Sequence, residues 1–366
     1  MARIFLGTPE EGFTHLLGRA DTLAREGEGY RYVSAAGISY RFDAEGRCRS
    51  ILDRLGRGAI LDHDEEGLLT RARSTRGPVI RFAYDARGRM VRASDGTGRH
   101  LAFSFRAGQV CGLETESGAR TSFSYDARGY LASVTSARDI TELRNAFDGE
   151  GRVVRQEFAD GGVISYAYDD DRMRVSMTDQ LGNESTYVHD GLFRTIEVRR
   201  GDAVERMDYS EKSLKTRVTN PRGLTSRYQF DEVGNLTCAE NPLGERTTYE
   251  YNALNEPVRG AVDGTMVFRN EYDERGQILR TVDAVGNETR FSHNEEGDVT
   301  SITRADGSVA TFEHNALGMM TTAVGPQGAV ERYEYDERGL LAARVDANGN
   351  RMSFEHDALG NVTRMV

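Results

Sequence analysis

Sixteen times between Phe42 and Gly360 the chain repeats one phrase: an aromatic ring or imidazole, then Asp or Asn in fourteen copies, two variable residues, and Gly in eleven. The rings are Phe42, His63, Tyr84, Phe105, Tyr125, Phe147, Tyr168, His189, Tyr209, Phe230, Tyr251, Tyr272, His293, His314, Tyr335 and His356. Twelve of their fifteen spacings are 21 residues, and the others are 20, 22 and 20. A fixed period kept over so much of a chain marks an array whose units stack on their neighbours, because no single unit can bury a face alone. The period therefore overrides the two or three domains that 366 residues would otherwise imply.

Each copy reads as two short strands and two turns. Two places before the ring the chain is again aromatic in twelve copies, as in Phe82 before Tyr84, Tyr249 before Tyr251 and Tyr333 before Tyr335. Spacing of two puts both rings on one face of a β-strand. These two positions hold 23 of the 31 Phe and Tyr residues, so the aromatic content is spent on structure. After the ring, the Asx side chain accepts backbone N–H groups in a type I turn, and Gly supplies the positive φ that rejoins the next strand. The clearest copies are Tyr84, Asp85 and Gly88; Tyr125, Asp126 and Gly129; Tyr272, Asp273 and Gly276; and Tyr335, Asp336 and Gly339. A second Gly recurs fourteen residues after the ring in eleven of fifteen copies, and Pro221, Pro242 and Pro326 each stand two residues before one, where a fixed φ suits a turn.

The expected architecture is all-β: an antiparallel hairpin ribbon with strands of five to seven residues. Sixteen units give about 32 strands and, at ~4.8 Å between strands, a ribbon roughly 150 Å long. Twist forbids a flat sheet of that width. Curled into one wrap, it would make a shell-like solenoid roughly 50 Å across. Apolar residues near the sixth and ninth positions after the ring, such as Val299 and Ile302, mix the two faces of a regular strand and have no place in this scheme.

The phrases YDARGRM at 84–90, YDARGYL at 125–131, YDERGQI at 272–278 and YDERGLL at 335–341 resemble those of the RHS/YD-repeat family, as does NPLGERTTYEYN at 241–252. The resemblance covers 30–366, and GYRYVSAAGISYRFDAEGR at 29–47 is similar to the family's approach to its repeats. It implies a β-ribbon spiralling into a hollow cocoon, which in bacterial polymorphic toxins and insect-pathogen toxin complexes encloses a toxic C-terminal domain. In teneurins a related shell serves adhesion. The family's self-cleaving core and variable toxin follow the repeats, and neither is found before Val366. The chain is therefore expected to be a segment of a longer, exported bacterial protein, divided into an irregular stretch at 1–29 and the repeat array at 30–366.

Composition removes other classes. A net charge of −11 argues against nucleic acid or an anionic membrane as partner, since both are held by clustered positive charge. No run approaches the ~18 apolar residues of a spanning helix, and the first eleven residues are too short in apolar sequence for a signal peptide. Cys48, Cys111 and Cys238 match no metal spacing; the first two fall six residues after a ring, where other copies carry Leu or Val, and are expected to be buried. His63, His189, His293, His314 and His356 stand in for Tyr or Phe, so they read as planar rings; only His293 and His314, in successive copies, offer a metal pair. Asp346, Asn348 and Asn350 alternate like a calcium loop, but Arg351 stands where that loop needs Gly. Asp169, Asp170 and Asp171 also lack a full ligand set. No nucleophile elbow, phosphate loop or HExxH occurs.

The reading is a structural shell segment with no catalytic residue, no cofactor and no metal, partnered by the rest of its own shell and an enclosed toxin, with immunity or delivery proteins beyond these. The different class is an adhesive module binding carbohydrate or protein. Between Tyr168 and Asn255 the turn Gly is replaced by Arg172, Phe193, Ser213 and Asn255, and the two lysines, Lys212 and Lys215, fall in the same stretch. That departure is either drift or a contact surface for cargo or an adjacent shell segment. Exposed sheet edges are expected to drive self-association of the isolated segment.

Overall fold

The computed structural model describes residues 5–8, 12–15, 21–357 and 360–366. Among them are thirty-six strands, from Phe5–Thr8 to Val362–Met365, and no helix. Every strand pairs antiparallel with its neighbours in sequence, so the sheet is a pure meander. The expected helix-free ribbon is what forms. Most of the segment at 8–19 lies outside the described residues, but Phe5–Thr8 and Gly12–His15 pair as a hairpin.

The two turns have the mechanism their residues dictate. At the ring turn, the Gly88 N–H donates to the Asp85 carbonyl at 2.9 Å, and the Asp85 N–H to the Arg89 carbonyl at 2.9 Å. The Asp85 carboxylate accepts from the Arg87 and Arg89 N–H groups at 2.9 and 3.1 Å. Gly88 sits at φ 72°, where a side chain would be strained. The second turn repeats this at Asp53, whose Oδ1 accepts from the Arg57 N–H at 2.8 Å.

A bulge follows each ring turn of this type and accounts for the apolar spacing that fits no regular strand. In the hairpin of strands Glu288–His293 and Val299–Thr303, His293 faces Val299 and Phe291 faces Ile302, with Thr300 as the extra residue. The slip of one residue returns the sixth and ninth positions to the ring side. One face therefore carries rings and aliphatics. The other carries ion pairs such as Asp62 with Arg71 at 2.7 Å and Arg73 at 3.0 Å, and Glu271 with Arg280 at 2.6 Å.

Hairpins are tied to one another by the rings. The ladder between Leu69–Ser74 and Val79–Tyr84 ends at Arg71 opposite Arg81, which leaves the Leu69 carbonyl unpaired. The Tyr84 hydroxyl donates to that carbonyl at 2.7 Å. The same bond, to a carbonyl fifteen residues earlier, is made by Tyr125, Tyr168, Tyr251, Tyr272 and Tyr335. Where the ring is Phe147, Asn145 reaches the Leu131 carbonyl instead, at 2.9 Å.

The chain winds further than one wrap. Second-type turns touch ring turns 200 to 222 residues later. One wrap therefore takes about twenty strands, a circumference of roughly 100 Å and a diameter of roughly 30 Å at ~4.8 Å per strand. The wider single wrap expected from sequence is corrected: interlocking turns close the spiral earlier than strand number alone required.

Burial is thin, as a single layer demands. Among the described residues the buried apolar ones are Val198, Met207, Cys238, Ala261, Ala310 and Ala343. The expectation that Cys48 and Cys111 are buried fails, since both are half-buried, and Cys111 lies at a bulge between Val110 and Gly112. Cys238, 6% exposed, is the sequestered thiol.

Candidate functional site: the seam between wraps

Two second-type turns of the first wrap, at Asp53–Gly56 and Ser74–Gly77, project Arg54, Leu55 and Arg76 across the gap. Arg54 pairs with Glu256 and donates through Nη2 to the Leu254 carbonyl at 2.6 Å. Arg76 binds Asp298 in a two-pronged pair, Nη1 to Oδ1 at 2.9 Å and Nη2 to Oδ2 at 2.5 Å. The hydrogen bonds from Arg76 outweigh burial and hold the Asp298 carboxyl at about 2, below the usual 3.8. Asn255 donates to the Ala35 carbonyl at 3.4 Å.

Glycine makes this approach possible. A methyl group on Gly297 would lie 2.5 Å from a Leu55 methyl; one on Gly276 would lie 2.7 Å from the Arg54 guanidinium; one on Gly318 would lie 2.9 Å from that of Arg76. These ring-turn glycines thus do two things, adopting positive φ and leaving a seat for the neighbouring wrap. A groove lined by Thr97, Arg99, Met319, Glu337 and Arg338 continues the seam for another unit.

The residue five places after the ring differs along the ribbon. In four copies of the first wrap it is arginine, Arg47, Arg89, Arg152 and Arg194, each paired to its own turn Asp, whereas Leu68, Tyr130 and Leu214 stand there in others. Arg89, Arg152 and Arg194 then lie over the next ring, at 4.5, 4.3 and 4.9 Å from Phe105, Tyr168 and Tyr209. At the seam it is Glu256, Gln277 or Asp298, of which Glu256 and Asp298 pair with the arriving arginines. At these three copies the ladder of rings expected from sequence is interleaved with guanidinium groups. The alternation was visible as Arg one residue after the turn glycine in YDARGRM, but nothing in one sequence marks which copies meet a second wrap.

The repeat positions singled out from sequence do not gather into one pocket. Tyr84, Tyr125, Tyr272 and Tyr335 cap carbonyls in separate hairpins. Asp85, Asp126, Asp273 and Asp336 hold their own turns. Gly88, Gly129, Gly276 and Gly339 take φ from 72° to 88°. The calcium-like stretch is another such turn, with the Asp346 carboxylate accepting from the Asn348 and Asn350 N–H groups. Asp169 and Asp170 are paired with Arg172 and Arg152. His293 and His314 each bury an Nδ1 without a hydrogen-bond partner, and among the described residues no cluster of three or more His, Cys, Asp or Glu could hold a metal. Among them too, no helix is long and apolar enough to cross a membrane, which says nothing of a β-barrel.

The turn substitutions divide. Phe193, Ser213 and Asn255 occupy the left-handed region themselves, at φ 58°, 58° and 63°. At the fourth, the positive φ moves from Arg172 to Met173, because the hairpin there closes without a bulge. Only Asn255 of the four belongs to the seam described above.

The RHS Repeat family model matches residues 63–100, 272–309, 293–330 and 335–366. These segments carry RHS repeats. The chain is 23% identical to human Teneurin-1 over 235 residues, 63% of this chain and 8% of the relative. It is 27% identical to Double-stranded DNA deaminase toxin A of Burkholderia cenocepacia strain H111 over 254 residues, 62% of this chain and 17% of that protein. Toxin protein Tse5 of Pseudomonas aeruginosa is 26% identical over 57% of this chain and 18% of its own length. The chain thus spans under a fifth of each. Two solved structures share its fold: a TcdB2–TccC3–Cdc42 crystal structure, with TM-score 0.53 and 13% identity over 92% of this chain and 23% of that one, and TcdB2–TccC3 without its hypervariable C-terminal region, with TM-score 0.52 and 12% identity over 98% and 22%. The likeness to these two structures is one of fold.

Proposed function

We propose that this chain is wall, a segment of an RHS-type shell that encloses a polypeptide until delivery. The observation that carries the reading is the seam. A ribbon that locks onto itself after about twenty strands makes a continuous tube wall, roughly 30 Å across, with no open sheet edge along its length. The ring face is half-buried although no second layer covers it, which suits a crowded concave side, and we place it toward the lumen. The enclosed segment belongs to the longer exported protein, and the wall contributes sequestration with no catalytic group, cofactor or metal of its own. The toxins among the relatives support this reading.

The test uses the full-length gene product under limited proteolysis. Segments beyond the wall are protected in the wild type and become cleavable when Arg76→Ala and Asp298→Ala together open the seam. Equal cleavage in both rejects enclosure. The match to Teneurin-1 favours a second reading, an adhesive module; specific glycan-array binding by this chain, with no protection of any segment, would select it.

A further inference from the structure

Across the sixteen copies the fifth place after the ring is acidic only twice, at Glu256 and Asp298, and an arginine of the first wrap meets each of them. Arg54 and Arg76 lie on successive second-type turns, while Glu256 and Asp298 are two copies apart with Gln277 between them. Both pairs are sheltered: the side chains of Arg76 and Asp298 are 17% and 10% exposed, and those of Arg54 and Glu256 21% and 27%. Stranding such a half-buried guanidinium without its acid costs more than breaking an exposed pair.

Sliding one wrap along the other shows how unusual the observed alignment is. A slip of one copy toward the C-terminus puts Arg54 on Gln277 and Arg76 on Met319; the reverse slip puts them on Asn235 and Gln277. A slip of two copies leaves one acid in reach and sets the other arginine on Leu340 or Leu214. Glycine seats do not discriminate in this way. Gly276, Gly297, Gly318 and Gly339 all take positive φ, at 82°, 87°, 76° and 78°, so Leu55 would find a similar turn one copy over.

We propose that Glu256 and Asp298, flanked by the uncharged Gln277 and Met319, select the register of the spiral and with it the bore of the wall. They are positioning residues, and the uncharged neighbours matter as much as the acids, because they leave a slipped wrap with two stranded cations. Gln277 meanwhile serves its own wrap, donating through Nε2 to the Gly297 carbonyl at 3.1 Å. Each one-copy slip changes a wrap by two strands, ~10 Å of circumference and ~3 Å of diameter. The inference rests on the seam and not on enclosure.

The test moves the acids by one copy, as E256Q/Q277E/D298N/M319D, in the full-length gene product. Nitroxides at Thr75 and Ala316, attached through non-natural ketone side chains that spare the cysteines, report the seam distance by double electron–electron resonance. That distance is expected to lengthen by ~10 Å in the fourfold variant. It is expected to broaden in the one-sided R54E/R76E and to return to the wild-type value in the swap R54E/R76E/E256R/D298R. An unchanged narrow distance in the fourfold variant overturns the proposal and assigns the register to sheet packing. An unchanged narrow distance in R54E/R76E does the same, and decides the matter if the fourfold variant does not fold. Proteolytic protection read on the same samples separates the two readings: protection with an unmoved seam rejects this inference alone.

Discussion

At the scale of single residues, this chain holds itself together with bonds that reach one unit backward. The Tyr251 hydroxyl donates to the Leu236 carbonyl at 2.8 Å, at a point where the strand ladder has already opened. Removing the hydroxyl leaves a half-buried carbonyl unpaired, so Tyr251→Phe is expected to cost about 1 kcal/mol. Urea denaturation compared with the wild type measures it, and no loss would mean water replaces the hydroxyl. Phe193 is the converse case, a 79% exposed ring at φ 58° that contributes little burial and strains its backbone. Phe193→Gly is expected to stabilise by about 0.5–1 kcal/mol, with relief of left-handed strain partly offset by the freer unfolded chain. The sequence marked Phe193 as a departure, and the backbone shows that it is a strained turn residue and no seam contact.

At the scale of elements, one glycine position serves two purposes that a matched pair of substitutions separates. Gly297 and Gly286 sit at φ 87° and 91°, but only Gly297 has Leu55 pressed against it. Gly286→Ala should lose about 1 kcal/mol from conformation alone, and Gly297→Ala a further ~1–3 kcal/mol from overpacking at the seam. Thermal melts of the two variants make the comparison, and equal losses would show that the seam yields without cost. The hairpin itself was legible because its determinants are local: Asx, Gly and the ring lie within five residues. The bulge was not, since a one-residue slip is defined by the partner strand; the misfit of Val299 and Ile302 was its only trace.

At the scale of the whole molecule, the spiral is held by few long-range contacts, and the Arg76–Asp298 pair couples it to acid. Because the folded-state carboxyl lies at about 2, below its ordinary 3.8, the closed wrap binds fewer protons than the open one. The stabilisation is complete above about pH 4 and is lost as pH falls toward 2. Small-angle scattering is expected to show expansion across that window, displaced or flattened in Asp298→Asn; identical acid profiles would assign the opening to other carboxylates. By itself the sequence determined a helix-free meander of similar hairpins, because each hairpin is specified by residues within one 21-residue period and strands pair only with their neighbours. The width of the tube was decided by tertiary structure alone. Where one wrap meets the next depends on Arg54 finding Glu256 and on Leu55 finding Gly297, residues some 200 positions apart whose meeting follows from accumulated twist and coil. No local pattern encodes that sum, so the sequence could give the stitch and only the folded chain could give the size of the loop.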